Sequence, residues 1–127
     1  MKTAKRITGD WGEEQAALFL INKGYQIVER NYAIKQGEVD IIAWHEKRNI
    51  NTLCFVEVKT RHKKDSGGAE RATGYKKLTR VLFAAKEYCL SHGIKFDRTP
   101  IQFEQVSVYF STPFAPPTIH LYIIPVD

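Results

Sequence analysis

The most informative stretch of this chain is Cys54-Phe55-Val56-Glu57-Val58-Lys59-Thr60, a strand-forming segment that carries an acid and an amine among apolar residues. Residues two apart on a β-strand share a face, so Glu57 and Lys59 point to one side while Val56 and Val58 point to the other. Ionised groups are costly on so apolar a strand unless they are paired or bind a metal. The pattern therefore predicts either an ion pair or a functional site.

A second acidic segment lies upstream, at Gly37-Glu38-Val39-Asp40-Ile41-Ile42-Ala43. If it forms a strand next to the first segment, with the acids on the shared face, then Asp40, Glu57 and Lys59 converge within side-chain reach. The structural alternative is a cross-strand ion pair, which is what an isolated Glu-x-Lys usually makes. The apolar frame around all three groups favours the functional interpretation.

Periodicity in the rest of the chain predicts an α/β fold, a mixed β-sheet flanked by helices in the order αβββαββ. Helices are predicted at residues 12–23 and 70–91, and strands at 25–32, 38–44, 52–61, 101–110 and 118–124. The first three strands should form an antiparallel meander against the first helix. The crossover through the second helix should deliver the fourth strand parallel to the third. We expect one domain covering residues 1–127.

Composition excludes several classes of protein. No apolar run approaches the roughly 20 residues that a membrane span needs, and the basic N-terminus does not lead into an apolar stretch typical of a secretory signal. We therefore expect a cytoplasmic protein without a membrane partner. The spacing of Cys54 and Cys89 fits reduced core thiols rather than a zinc or redox motif. Trp11 and Trp44 are predicted to pack in the core or at its rim.

The chain has 19 Lys and Arg residues against 14 Asp and Glu residues, a net charge of +5. Between Lys59 and Arg80 only Asp65 and Glu70 oppose the basic residues. Such a concentration is expected of a surface that contacts a phosphate backbone. The predicted nucleic-acid contacts are Arg61, Lys63, Lys64, Lys76, Lys77 and Arg80.

Glu13 has two interpretations. It shares a helical face with Ala16, Ala17 and Leu20, where its charge would look toward the sheet. Alternatively, Asp10 and Glu13 form the N-cap and third position of a capping box, which would satisfy Glu13 locally. The residues alone leave both interpretations open.

The chemistry of phosphodiester hydrolysis matches the clustered groups. The anionic phosphate repels hydroxide, so the reaction needs a Lewis acid and a bound water with a lowered pKa. Mg²⁺ prefers oxygen ligands and keeps several waters, so Asp40, Glu57 and the carbonyl of Val58 would suffice, with Mn²⁺ as a substitute. The Lys59 ammonium would orient the attacking water and offset charge on phosphorus.

At these residues the chain resembles the PD-(D/E)XK nuclease superfamily, through Gly37-Glu38-Val39-Asp40 and Phe55-Val56-Glu57-Val58-Lys59-Thr60-Arg61. More closely, it resembles the small bacterial YraN-like proteins, which are similar to archaeal Holliday junction resolvases. The resemblance extends through Gly9-x-x-Gly12-Glu13-x-x-Ala16, Gly24-Tyr25, Arg30-Asn31, Lys77 and Ala85. It departs at Gln102-Phe103-Glu104, where the family usually shows Arg-Phe-Asp, and at Asp65-Ser66-Gly67, where Phe-Gly is common.

The resemblance implies a restriction-endonuclease-like fold in which Asp40 and Glu57 bind the metal, Lys59 is the catalytic lysine and Glu13 is the helix-borne acid. It implies a Mg²⁺-dependent endonuclease acting on DNA, with branched or damaged DNA as the expected substrate and no small-molecule cofactor. One alternative is a nucleic-acid-binding module that keeps the fold without turnover. Another is an ion-pair network in a protein-interaction domain. A homodimer would suit a junction substrate, by analogy alone.

Overall fold

The computed structural model describes residues 2–63, 75–112 and 114–126. Its helices and strands follow the predicted order αβββαββ, so the predicted fold class is confirmed. They are α1 (Ala4–Asn22), β1 (Gln26–Ile34), β2 (Gly37–Lys47), β3 (Ile50–His62), α2 (Tyr75–Ser91), β4 (Ile101–Phe110) and β5 (Thr118–Ile124).

The strands of the described residues form one mixed sheet in the spatial order β1-β2-β3-β4-β5. The first three strands pair antiparallel, which confirms the predicted meander. β4 pairs parallel with β3, as the crossover rule predicts, and β5 returns antiparallel beside β4. This mixed sheet with its helices is a restriction-endonuclease-like arrangement.

The two faces of the sheet are buried by different helices. On one face α1 packs against the centre of the sheet, through Ala16, Ala17, Leu20, Ile41, Ala43, Cys54, Val56, Val106 and Val108. On the other face α2 packs against the same strands, through Val39, Ile42, Leu53, Phe55, Val81, Ala84, Ala85, Tyr88, Cys89 and Phe103. The central strands are thus apolar on both sides, which makes any acid they carry a costly exception.

Two glycines allow the helices to approach the sheet closely. A β-carbon built on Gly12 of α1 would lie 1.9 Å from the Thr60 hydroxyl on β3. One built on Gly37, at the start of β2, would lie 1.9 Å from the backbone carbonyl oxygen of Arg80 on α2. Neither position accepts a larger residue without moving a helix.

The start of α1 differs from the prediction. The helix begins at Ala4 and not at residue 12, with Thr3 as its N-cap accepting a hydrogen bond from the Arg6 backbone N–H at 3.1 Å. Asp10 therefore lies inside the helix and pairs with Lys2 at 2.6 Å, so the capping-box interpretation of Asp10 and Glu13 is wrong. Ala4, Ile7 and Trp11 have the three- and four-residue spacing of a helix, but Gly9 and Asp10 between them favour a helix boundary at that point.

The other boundaries agree closely with the prediction. β4 and β5 have the predicted bounds, while β2 and β3 extend to a two-residue turn at Arg48 and Asn49, whose φ angles of 52° and 66° suit a tight hairpin. The predicted first residues of the second helix fall at 70–74, outside the described residues. Cys54 and Cys89 are buried and unpaired, as predicted. Neither described helix combines the length and apolar character needed to cross a membrane.

Candidate active site

The pairing of β2 with β3 ends at Asp40. Their register runs from Lys47 opposite Ile50 to Ile41 opposite Val56. One residue further along β2, Asp40 Oδ2 accepts a hydrogen bond from the Val58 backbone N–H at 2.8 Å. In a regular ladder the Val58 N–H would donate to a backbone carbonyl, but here it donates to the Asp40 carboxylate. That carboxylate lies between the two diverging strands.

The alternation of β2 is interrupted at the same residue. Val39 and Ile42, three positions apart, both pack in the α2-side cluster, whereas Ile41 packs in the α1-side cluster. Asn31, which lies opposite Asp40 on β1, has a φ of 54° that a regular strand does not adopt. Because β1 is distorted at Asn31 and β2 at Asp40, the Asp40 side chain is not directed to one face of the sheet alone.

Asp40 therefore interacts with acids on both sides. Burial raises the pKa of Glu13 on α1, and the negative charge of Asp40 raises it further. Burial, and after it the negative charge of Asp40, raises the pKa of Glu57 on β3 to about 7. Burial also raises the pKa of Asp40 itself, against the hydrogen bond from Val58 and the nearby positive charge of Lys77.

Glu57 is buried, with 1% of its surface exposed. The Lys77 ammonium on α2 lies 2.9 Å from Glu57 Oε2. Glu57 Oε1 has no hydrogen-bond partner among the described residues. A buried carboxylate oxygen without a donor is costly, and it is the kind of group that a bound cation would satisfy.

Lys59 lies two residues beyond Glu57 and is half-buried. Burial lowers the pKa of its ammonium, and the positive charges of Lys77 and Arg61 lower it further, against the raising effect of Glu57 and Asp40. The ammonium thus belongs to the same electrostatic cluster as the two acids, and it loses its proton more readily than an ordinary lysine.

Glu13 faces inward from α1. Its side chain is 14% exposed and lies 3.6 Å from the guanidinium of Arg30 on β1. Its Oε1 atom is buried and, within the described part of the chain, has no hydrogen-bond partner. Glu13 therefore adopts the inward orientation of the functional interpretation, next to Asp40.

An open cleft of about 560 Å³ adjoins the acids on the α1 side. Its lining includes Glu13, Asp40 and Val58. Glu57 and Lys59 are not part of its lining, because Glu57 lies toward α2, where Lys77 contacts it. Its lining carries both charges, with the exposed basic residues Lys5, Arg6 and Arg61 and the exposed acid Glu38.

Asp40 and Glu57 provide too few ligands to enclose a metal ion completely. They suit a hard cation that keeps part of its water shell. No group of three or more His, Cys, Asp or Glu side chains is arranged to hold a metal in the described ranges. Asp40 and Glu57 offer two neighbouring carboxylates, one with an unpartnered oxygen. Mg²⁺ is commonly bound through one or two carboxylates and keeps several of its waters, so Asp40 at the cleft and the buried Glu57 beside it have the chemistry of Mg²⁺ ligands.

The predicted nucleic-acid contacts have different surroundings. Arg61, Lys63, Lys76 and Arg80 are exposed. Lys77 pairs with Glu57, although 40% of its side chain stays exposed. Lys64 lies outside the described residues.

Sequence reasoning missed the pairing of Lys77 with Glu57 and that of Arg30 with Glu13. The first had a signal, because Lys77 precedes Val81 by four residues and so shares the buried stripe of α2 with Val81 and Tyr88. A lysine on that stripe needs an acidic partner. The pairing of Arg30 with Glu13 has no comparable signal.

The chain belongs to the Uncharacterised protein family UPF0102, whose profile matches residues 12–108. This confirms the resemblance to the YraN-like proteins. A UPF0102 protein of Desulforamulus reducens is 34% identical over 111 residues, which cover 87% of this chain and 88% of the relative. A UPF0102 protein of Chlorobium phaeobacteroides is 36% identical over 85% of this chain and 80% of its own length. A third, of Clostridioides difficile, is 37% identical over 80% of this chain and 83% of its own.

Proposed function

We propose that this protein is a Mg²⁺-dependent endonuclease that hydrolyses phosphodiester bonds of DNA. The observation that carries the proposal is the position of Asp40 at the divergence of β2 and β3, hydrogen-bonded to Val58 and electrostatically linked to Glu57. Carboxylates clustered in an apolar sheet, with a lysine two residues away on the same strand, are hard to explain by stability alone.

In this proposal Asp40, Glu57 and the Val58 carbonyl hold the ion, and Mn²⁺ substitutes for Mg²⁺. When bound, the ion would supply Lewis acidity. Lys59 would orient the attacking water and offset the charge that develops on phosphorus. Glu13, near Asp40, accepts a hydrogen bond from a water.

The predicted nucleic-acid contacts bind DNA phosphates in this proposal. They are Arg61, Lys63, Lys64, Lys76 and Arg80, with Lys77 shared between Glu57 and the phosphate backbone. Contacts of this kind fix the position of DNA without reading its sequence. Branched or damaged DNA remains the expected substrate, and a homodimer remains a hypothesis.

A second candidate is a nucleic-acid-binding module that has kept the fold without turnover. The burial of Glu57 and its ion pair with Lys77 favour it, because a carboxylate with a resident cation has less need of a metal. This candidate predicts salt-sensitive DNA affinity and no metal-dependent products.

A cleavage panel separates the two candidates. Linear, nicked, flapped and four-way DNA are incubated with Mg²⁺ or Mn²⁺ and the parent protein, Lys59→Ala, Asp40→Asn or Lys95→Ala. Lys95 is an exposed lysine away from the site and is the matched control. The proposal requires cleavage by the parent and Lys95→Ala and its loss in the other two. Equal cleavage by the parent and Lys59→Ala would remove Lys59 from the mechanism, and DNA binding without products would favour the second candidate.

A further inference from the structure

An apolar cavity of about 380 Å³ lies beside the candidate active site, where the first turns of α1 meet the end of β4. It is lined by Ile7, Thr8, Trp11, Phe110, Ser111 and Thr112. Its lining is mainly apolar, in contrast to the charged lining of the neighbouring cleft. A cavity of this size and character accommodates a flat ring such as a nucleobase.

Aromatic side chains in this region stay accessible. Trp11 is 36% exposed and Ile7 is 57% exposed, although the sequence alone predicts that Trp11 packs in the core or at its rim. Trp11 meets Phe110 edge-to-face at 6.1 Å, and Phe110 meets His62 of β3 in the same manner at 5.2 Å.

The apolar cavity adjoins the cleft that contains Asp40 and Glu13. Thr8 and Phe110 line both. A DNA strand whose phosphates contact Lys5, Arg6 and Arg61 therefore passes next to Trp11 and Phe110. A positive groove with aromatic side chains along it is the usual design of a surface that binds single-stranded nucleic acid.

We propose that Trp11 and Phe110 form a stacking platform for unpaired bases, and that the substrate of the candidate active site is DNA with a single-stranded segment at the cleft. This inference rests on the proposed function and narrows its substrate class. Every base has an aromatic face, so stacking tolerates any sequence. In a continuous duplex the bases stack on one another and do not reach a side cavity.

Charge favours nucleic acid over a second copy of the chain as the occupant. The segment that carries the patch, residues 2–11, has the exposed basic residues Lys2, Lys5 and Arg6 against one acid. That acid, Asp10, is engaged by Lys2 at 2.6 Å and by Arg6 at 3.6 Å. A second copy docked on this patch would bring a like-charged segment against it, whereas a phosphate backbone brings the opposite charge.

The test compares single-stranded and duplex DNA of equal length in a binding assay at one salt concentration, with EDTA present so that no cleavage occurs. Trp11→Ala should weaken single-strand binding by about 5- to 100-fold and change duplex binding little. Trp11→Phe, which keeps an aromatic face, should retain most of the affinity. Ile50→Ala is the matched control, because Ile50 is 53% exposed on the hairpin at the far end of β2 and β3.

A second measurement, of tryptophan fluorescence, leaves Trp11 and Phe110 unchanged. The chain has two tryptophans, so Trp44→Phe leaves Trp11 as the sole indole. Single-stranded DNA should quench and shift the Trp11 fluorescence at saturation, and duplex DNA should not.

Unchanged Trp11 fluorescence at saturating single-stranded DNA would overturn the inference. Equal losses of single-strand and duplex affinity in Trp11→Ala would also overturn it, as would a dimer in sedimentation that Trp11→Ala disperses. Failure of the proposed function is distinguishable: cleavage would be absent on every substrate while the quenching and the selective loss of affinity persist. Cleavage that depends on Lys59, with no effect of Trp11→Ala on binding, would reject the platform alone.

Discussion

The ammonium of Lys77 on α2 lies 2.9 Å from the carboxylate of Glu57 on β3, and the pair joins the second helix to the sheet at the candidate site. The two partners differ in exposure, since the Lys77 side chain is 40% exposed and that of Glu57 is 1% exposed. Glu57 therefore depends on Lys77 for compensation of its charge, whereas water can still solvate Lys77. Burial lowers the pKa of Lys77, but the negative charges of Glu57 and Asp40 outweigh that effect and raise it.

Lys77→Met should destabilise the fold in a pH-dependent way. It leaves the buried Glu57 without its cation, at a cost of about 1–3 kcal/mol once the partial exposure of Lys77 is discounted. The cost should be larger at about pH 8, where Glu57 is ionised, than at about pH 5, where it holds a proton. Urea denaturation at the two pH values measures the difference. Lys76→Met, a change at the exposed neighbouring residue, is the control, and an equal cost at both pH values would contradict the pairing.

Glu57→Gln should remove part of the pH dependence of the free energy of unfolding that the parent protein shows. Because the folded-state pKa of Glu57 is about 7 and its ordinary value is 4.5, the folded state keeps its proton longer than the unfolded state. The stabilisation from this group is full below about pH 4.5 and is lost as pH rises through about 7. The free energy of unfolding of the parent should fall relative to Glu57→Gln by about 1–3 kcal/mol over that window. Parallel curves for the two proteins would mean that the pKa of Glu57 is not raised.

Gly12→Ala should destabilise the protein and disturb the site. The added methyl group would overlap the Thr60 hydroxyl at 1.9 Å, so α1 must move away from β3 and take Glu13 with it. We expect a loss of about 1–3 kcal/mol in urea denaturation. Gly9→Ala is the matched control, because nothing lies within 4 Å of its added β-carbon. It should stabilise the helix by roughly 0.5–1 kcal/mol, and a similar effect of the two substitutions would rule out the close approach.

Much of this architecture could be predicted because its signals are local. Pro100 precedes β4, and Pro117 and Pro125 flank β5, so the predicted bounds of both strands agree with the structure. The shared face of Glu57 and Lys59 follows from the two-residue repeat of a strand. The parallel pairing of β3 with β4 follows from the handed crossover through α2.

The remainder depends on contacts that local pattern does not show. The distortion at Asp40 requires Asn31, opposite it on β1, to adopt a φ of 54°. Ideal alternation places Asp40 on one face, so it cannot predict that this residue interacts with both Glu13 and Glu57. The early start of α1 was not predicted for a different reason, since Gly9 and Asp10 are typical of a helix boundary but lie inside this helix.

The central claim is that Asp40 and Glu57 together hold a divalent cation, and calorimetric titration of the parent protein with Mn²⁺ or Mg²⁺ tests it most directly. We predict one ion bound per chain, with proton release near neutral pH because the Glu57 carboxyl must ionise to bind. Asp40→Asn should abolish binding, while Asp10→Asn, which removes an exposed acid of α1, should not. Binding that is equal in the parent and Asp40→Asn, or no binding by the parent at millimolar metal, would contradict the assignment.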